Sequence, residues 1–83
     1  MMRFILAREN PSAPFGYSYF TGSIEVVETE DGAAVVPMTS WSIDAGFAFR
    51  SPRAALPIQL LFRQLSPTAA NWFVVRHRVE RAA

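Results

Sequence analysis

The residue types that do chemistry are few in this chain, and their spacing decides what they can do. There is one histidine, His77, and no cysteine. That removes a disulfide framework, a thiolate metal site and a cysteine nucleophile. A zinc site would need more nitrogen and sulfur ligands than one imidazole supplies. Seven serines and Asp44 permit a serine–histidine–aspartate triad on paper. No G-x-S-x-G elbow is present to expose a nucleophile, and no glycine-rich loop to cradle a phosphate. Carboxylates cluster at Glu25, Glu28, Glu30 and Asp31, beside a turn, which reads as a solvated hairpin tip rather than an acid–base pair. The expectation is a protein without catalysis, cofactor or bound metal.

Charge points instead to binding. Residues 1–49 carry Arg3 and Arg8 against six carboxylates, a balance of −4; residues 50–83 carry six arginines against Glu80, a balance of +5. Every basic residue is arginine. A GC-rich genome accounts for that usage, and guanidinium groups also suit paired recognition of carboxylate and phosphate. Three candidate surfaces follow. Arg53, Leu56, Leu60 and Arg63 fall on one helical stripe, leucines flanked by arginines, as in an interface with an apolar centre and cationic anchors. Arg76 and Arg78 share a strand face near Trp72, either as a phosphate-contacting strip or as stems covering the indole. The acidic hairpin, with Glu28, Glu30 and Asp31, is the third, because carboxylates imitate phosphates towards a basic groove.

A fourth feature is the stretch F-G-Y-S-Y-F at residues 15–20. Rings presented to solvent stack on bases, so Tyr17 and Tyr19 with Arg76 and Arg78 make an alternative single-stranded nucleic-acid site. The stretch echoes the core strand of the RNA-recognition motif at Phe15, Gly16, Tyr17 and Phe20. Ala13 and Pro14 stand where that motif has a basic residue and glycine, Ser18 replaces its aliphatic residue, and a second helix is missing. The segment therefore reads mainly as a core-building strand.

The elements that must position these residues are legible in outline. Eighty-three residues, 51% of them apolar, make one domain of modest stability. Residues 2–8 alternate as a buried strand, and Asn10 to Pro14 break it. Phe15 to Glu28 reads as strand, with Gly22 at a bulge. Asp31-Gly32 predicts a type I′ hairpin turn, and the return strand runs from Ala33 to Val36, with Pro37 at its end or at a sheet edge. Residues 39–49 read as a short segment, a turn and a brief strand. Ser51-Pro52 starts a helix, with Ala54, Ile58, Leu61, Phe62 and Leu65 inward and Ser66-Pro67 as its stop. Pro57 conflicts with that helix and predicts a kink or a late start, and in either case a short helix. Residues 72–80 form the last strand. The sum is an α+β fold: a mainly antiparallel sheet of about four to five strands with one helix on a face. The N-terminus has too short an apolar run for a signal peptide or a membrane span, so a soluble, unprocessed cytoplasmic chain is expected.

This layout resembles a loose class of small phage and mobile-element proteins. The resemblance rests on the opening strand, the glycine-aromatic strand, Trp41-Ser42-Ile43-Asp44-Ala45-Gly46-Phe47, the Ser51-Pro52-Arg53-Ala54 helix start and the closing strand from Trp72. Anti-CRISPR proteins are among its members. The resemblance implies a stand-alone, non-enzymatic inhibitor that occludes a nucleic-acid or partner surface on a CRISPR surveillance complex in the host cytosol. Its partner would be a host protein or nucleoprotein complex, such as a CRISPR effector. It implies no binding residues, since the class has no shared site. Two other readings stand beside it: the single-stranded nucleic-acid binder, and a structural homo-oligomer that buries Leu56 and Leu60 against a second copy.

Overall fold

The computed structural model describes residues 2–65 and 71–79. The expected stop at Ser66-Pro67, the inward Leu65 side chain and Glu80 of the closing strand lie outside that description. The strands are β1 (Met2–Glu9), β2 (Tyr17–Thr29), β3 (Gly32–Ser40) and β4 (Phe73–Arg78), with a helix α1 (Pro52–Leu65) between the last two. They form one four-stranded antiparallel sheet in the order β3-β2-β1-β4. α1 packs on one face of it, so the fold is the expected α+β arrangement.

Both faces of β1 are apolar, and both are used. On the α1 side, Leu6, Phe20, Phe49, Ala55, Phe62 and Trp72 form the core, with Phe4, Val35, Ile58 and Val74 packed against it. Phe62 meets Phe20 edge-on, and its centroid lies 5.0 Å from that ring and 5.0 Å from the Trp72 indole. On the opposite side, Ile5 and Ala7 are completely buried. The loop around a 3-10 turn at Ile43–Ala45 covers part of that side; a Cβ on Gly46 would come within 2.6 Å of Ile5 Cγ2.

The β1–β2 ladder is brief, from Ala7↔Tyr19 to Glu9↔Tyr17. Beyond it β2 bulges between Phe20 and Ile24, as expected at Gly22, whose φ is +97°. Residues 47–49 occupy the gap where β1 and β2 diverge. The Phe47 N–H donates to the Phe20 carbonyl at 2.7 Å, and the Phe49 N–H to the Phe4 carbonyl at 2.8 Å. Freed from β1, the outer part of the β2–β3 hairpin projects as an arm. Residues 24–33 are all exposed, and the molecule measures 54 × 28 × 18 Å.

Several local expectations are corrected. β2 begins at Tyr17, not Phe15, because a chain of turns closes residues 10–16: the Asn10 N–H donates to the Gly16 carbonyl, and the Gly16 N–H to Ala13. The arm's turn is not type I′. Glu30 and Asp31 keep negative φ, and Gly32 takes the positive value, +116°, which fits a type I turn followed by a glycine bulge. β3 continues through a buried Pro37 to Ser40. It is an edge strand, so of the two places expected for Pro37 the sheet edge holds, where a residue without an N–H is tolerated. α1 is not short: it runs fourteen residues and continues past Pro57. Its innermost small residue is Ala55, not Ala54, which is exposed, because Ala55, Ile58 and Phe62 make the 3–4 spacing towards the sheet. Finally, the F-G-Y-S-Y-F segment gives the core a single buried ring, Phe20; its neighbour on that face is the fully buried Ser18.

Candidate functional site

The arm is built from two rows of side chains. Cross-strand pairs Ile24↔Pro37, Val26↔Val35 and Glu28↔Ala33 place Ile24, Val26, Glu28, Ala33, Val35 and Pro37 on the α1 side. Pairs Glu25↔Val36, Val27↔Ala34 and Thr29↔Gly32 occupy the other side. β-branched residues on both rows give the strand its propensity. The packing that normally rewards them is absent beyond the arm's base: Val26 is 62% exposed and Ile24 47% exposed. Glu25, Glu28, Glu30 and Asp31 are exposed along the same stretch. The Thr29 hydroxyl donates to the Gly32 carbonyl at 2.7 Å and closes the tip. The expected acidic hairpin tip is thus a projecting ribbon with four carboxylates and an unburied apolar row.

The helix stripe is exposed as expected. Arg53, Leu56, Leu60 and Arg63 all face away from the core, the two leucines at 47% and 46% exposure. α1 is fixed in this orientation by Phe62 in the core and by the Gln59 Nε2, which donates to the Trp72 carbonyl at 2.6 Å. Arg76 and Arg78 are exposed on β4 and pair with Phe4 and Met2, which places them on the α1 side of the sheet. They therefore share a molecular face with the helix stripe.

The two halves of the nucleic-acid alternative do not meet. Ala7 pairs with both Tyr19 and Phe73, and Glu9 with Tyr17, so the tyrosines lie on the side of the sheet opposite Arg76 and Arg78. Tyr17 stacks edge-on against Phe73 at 5.9 Å instead. His77 also lies on that side, half-buried and cross-strand from Arg3. Trp72, which shares the α1 side with Arg76 and Arg78, meets a different arginine. Trp72 precedes β4 and is buried in the core, and it is Arg8 whose guanidinium sits 5.5 Å from its ring centroid.

One surface escaped the sequence reading. Pro14, Phe15, Tyr19, Trp41, Ser42, Ile43 and Asp44 line an open groove of about 550 Å³ on the side opposite α1. The available signal was the flanking of each ring by turn formers: Pro14 and Gly16 around Phe15, Ser40 and Ser42 around Trp41. Rings placed in turns are displayed rather than packed.

Among the described residues, no helix is long and apolar enough to cross a membrane. No family model matches the chain, and neither a curated protein nor a solved structure matches it.

Proposed function

We propose that the protein is a non-enzymatic binding protein that inhibits a nucleic-acid-handling complex by occupying a basic surface on it. The finer form of this reading is an inhibitor of the anti-CRISPR kind, made by a phage or mobile element and acting on a surveillance complex in the host cytosol. One observation carries it: a projecting ribbon with Glu25, Glu28, Glu30 and Asp31 exposed alongside the unburied Ile24 and Val26. Carboxylates spaced along a narrow arm suit a groove lined by the cations that normally hold phosphates. The valines supply the apolar contact that charge alone lacks. The helix stripe from Arg53 to Arg63, with Arg76 and Arg78 on the same side, offers a second contact region of opposite sign.

The test uses charge reversal on the arm and on the helix separately. The protein is added to a candidate surveillance complex, and both capture of the protein and nucleic-acid binding by the complex are measured. Replacing Glu28, Glu30 and Asp31 by arginine is expected to weaken capture by about tenfold or more, as loss of close charge pairs does. Replacing Arg53 and Arg63 by glutamate reports on the helix stripe. Capture that survives the arm reversal unchanged removes the arm from the interface and overturns the reading.

A further inference from the structure

The groove opposite α1 carries an inference separate from the arm. Its rims are held in place. On one side, the Asn10 N–H donates to the Gly16 carbonyl at 2.8 Å, the Ala13 N–H to the Asn10 carbonyl at 3.0 Å and the Gly16 N–H to the Ala13 carbonyl at 3.1 Å. The Asn10 side-chain amide donates to the Ser18 hydroxyl, itself fully buried, at 2.8 Å. This loop presents Phe15 at 83% exposure. On the other side, Arg3 Nη2 donates to the Gly46 carbonyl at 2.6 Å, and the Ala45 and Gly46 N–H groups bond back to Ser42 and Ile43. That segment presents Trp41, 53% exposed, and contributes Asp44 to the groove lining. Tyr19 rises from β2 between the rims. A large ring left in water is expected in passing on any surface. Two large exposed rings on separately pinned loops, facing one groove with a third ring and one carboxylate, are a built arrangement.

The chemistry of that lining selects its ligand. Ring faces attract cations through their quadrupole, with indole the strongest. Asp44 adds a formal negative charge, and no cationic side chain partners it among the described residues. Beyond Asp44 and the Ser42 and Tyr19 hydroxyls, the lining offers little to replace a hydration shell. A strongly hydrated ammonium is therefore poorly served, and a weakly hydrated one well served. The volume, about 550 Å³, is in the range of small-molecule sites. We propose that the groove bounded by Phe15, Tyr19, Trp41 and Asp44 binds a free quaternary ammonium cation, with choline as the probe.

The two tryptophans make the test direct. Trp72 is 2% exposed in the core, so a ligand-dependent change in tryptophan emission reports on Trp41. Choline is titrated into the full chain, alongside its neutral dimethylbutanol isostere, phosphatidylcholine vesicles and a proline-rich peptide. Saturable change with choline at roughly millimolar concentration, and none with the neutral isostere, supports the proposal. Asp44→Asn, an exposed substitution that retains the reporter, is expected to weaken choline binding by about threefold to tenfold. Phe15→Ala is expected to weaken it by about fivefold, one exposed cation–π contact. An equal response to choline and the isostere overturns the cation, leaving an apolar groove. A response to the peptide alone overturns it in favour of a polyproline groove, and vesicle binding without a response to free choline overturns it in favour of a membrane headgroup.

Discussion

Gly46 shows how little room a single residue has in this fold. Its backbone is extended, with φ −68° and ψ 143°, a conformation any residue adopts. Glycine is required there for space alone: a Cβ would lie 2.6 Å from Ile5 Cγ2 and 3.0 Å from the Ile43 carbonyl oxygen. Ile5 is completely buried and has nowhere to retreat. Gly46→Ala is therefore an overpacking substitution, expected to destabilise the fold by about 1–3 kcal/mol. In a domain of this size that lowers the melting temperature by roughly 4–8 °C per kcal/mol. The companion change Ile5→Val removes one of the methyl contacts and should recover part of the loss, and thermal unfolding of the two single variants and the double one measures it. A melting temperature unmoved by Gly46→Ala would mean that the 3-10 turn is not seated on β1. The positive-φ glycine at the bulge, Gly22, combines both demands, since its Cβ would meet Phe47 Cδ2 at 2.6 Å.

At the scale of elements, α1 carries a conflict the fold tolerates. Ser51 is a working cap: its hydroxyl accepts the Ala54 N–H at 3.2 Å. Pro57, six residues on, donates no bond to the turn before it, and yet the helix continues to Leu65. Tertiary packing of Ala55, Ile58 and Phe62 holds what the local sequence resists. Two opposed effects follow. Ser51→Ala should cost about 1 kcal/mol through the lost cap. Pro57→Ala should gain stability, up to about 3 kcal/mol, because it restores a backbone bond on an exposed position. Chemical denaturation of both variants tests the pair, and a destabilised Pro57→Ala would show that the proline's geometry is required by the packing. The same conflict explains what could be read from sequence. Alternation and the Ser-Pro start gave the strands, the helix origin and the fold class. The helix length, the continuation of β3 past Val36 to Ser40 and the turn at Glu30-Asp31 were missed, whereas a sheet edge was one of the two places expected for Pro37. The first two depend on which side chains meet a core and which strand lies at an edge, and local propensity does not carry that information; at the exposed tip, Asp-Gly is compatible with more than one hairpin turn. The candidate surfaces divide the same way. The helix stripe was legible from its spacing. The groove joins residues 14–19 to residues 41–44 across the sheet, which no local pattern announces.

For the whole molecule, the decisive feature is unequal distribution of its core. β1 is buried on both faces and α1 contributes fully buried residues, whereas the arm from Ile24 to Ala33 leaves the body with none. A two-stranded ribbon in water is marginal by itself. Opening the arm exposes little that is not already exposed, so its free energy of opening should lie far below that of the body. Amides of Ile5, Leu6 and Phe62 should exchange with solvent only on global unfolding, and those of Val26, Val27 and Val35 at least about tenfold faster. Limited proteolysis should cut first near Glu30-Asp31. Val26→Asp, on the 62% exposed site, should leave the free energy of unfolding within about 0.5 kcal/mol of the wild type. That combination gives the proposed inhibitor its mechanics: the body folds without the arm's contacts, and the arm's valines are held for a partner. Ordering the ribbon then draws on the binding free energy, so a partner's presence should slow arm exchange while leaving β1 unchanged. Arm amides as protected as those of Leu6 in the isolated protein would reverse the argument. The ribbon would then already be covered, and the solution mass would show a second copy covering it.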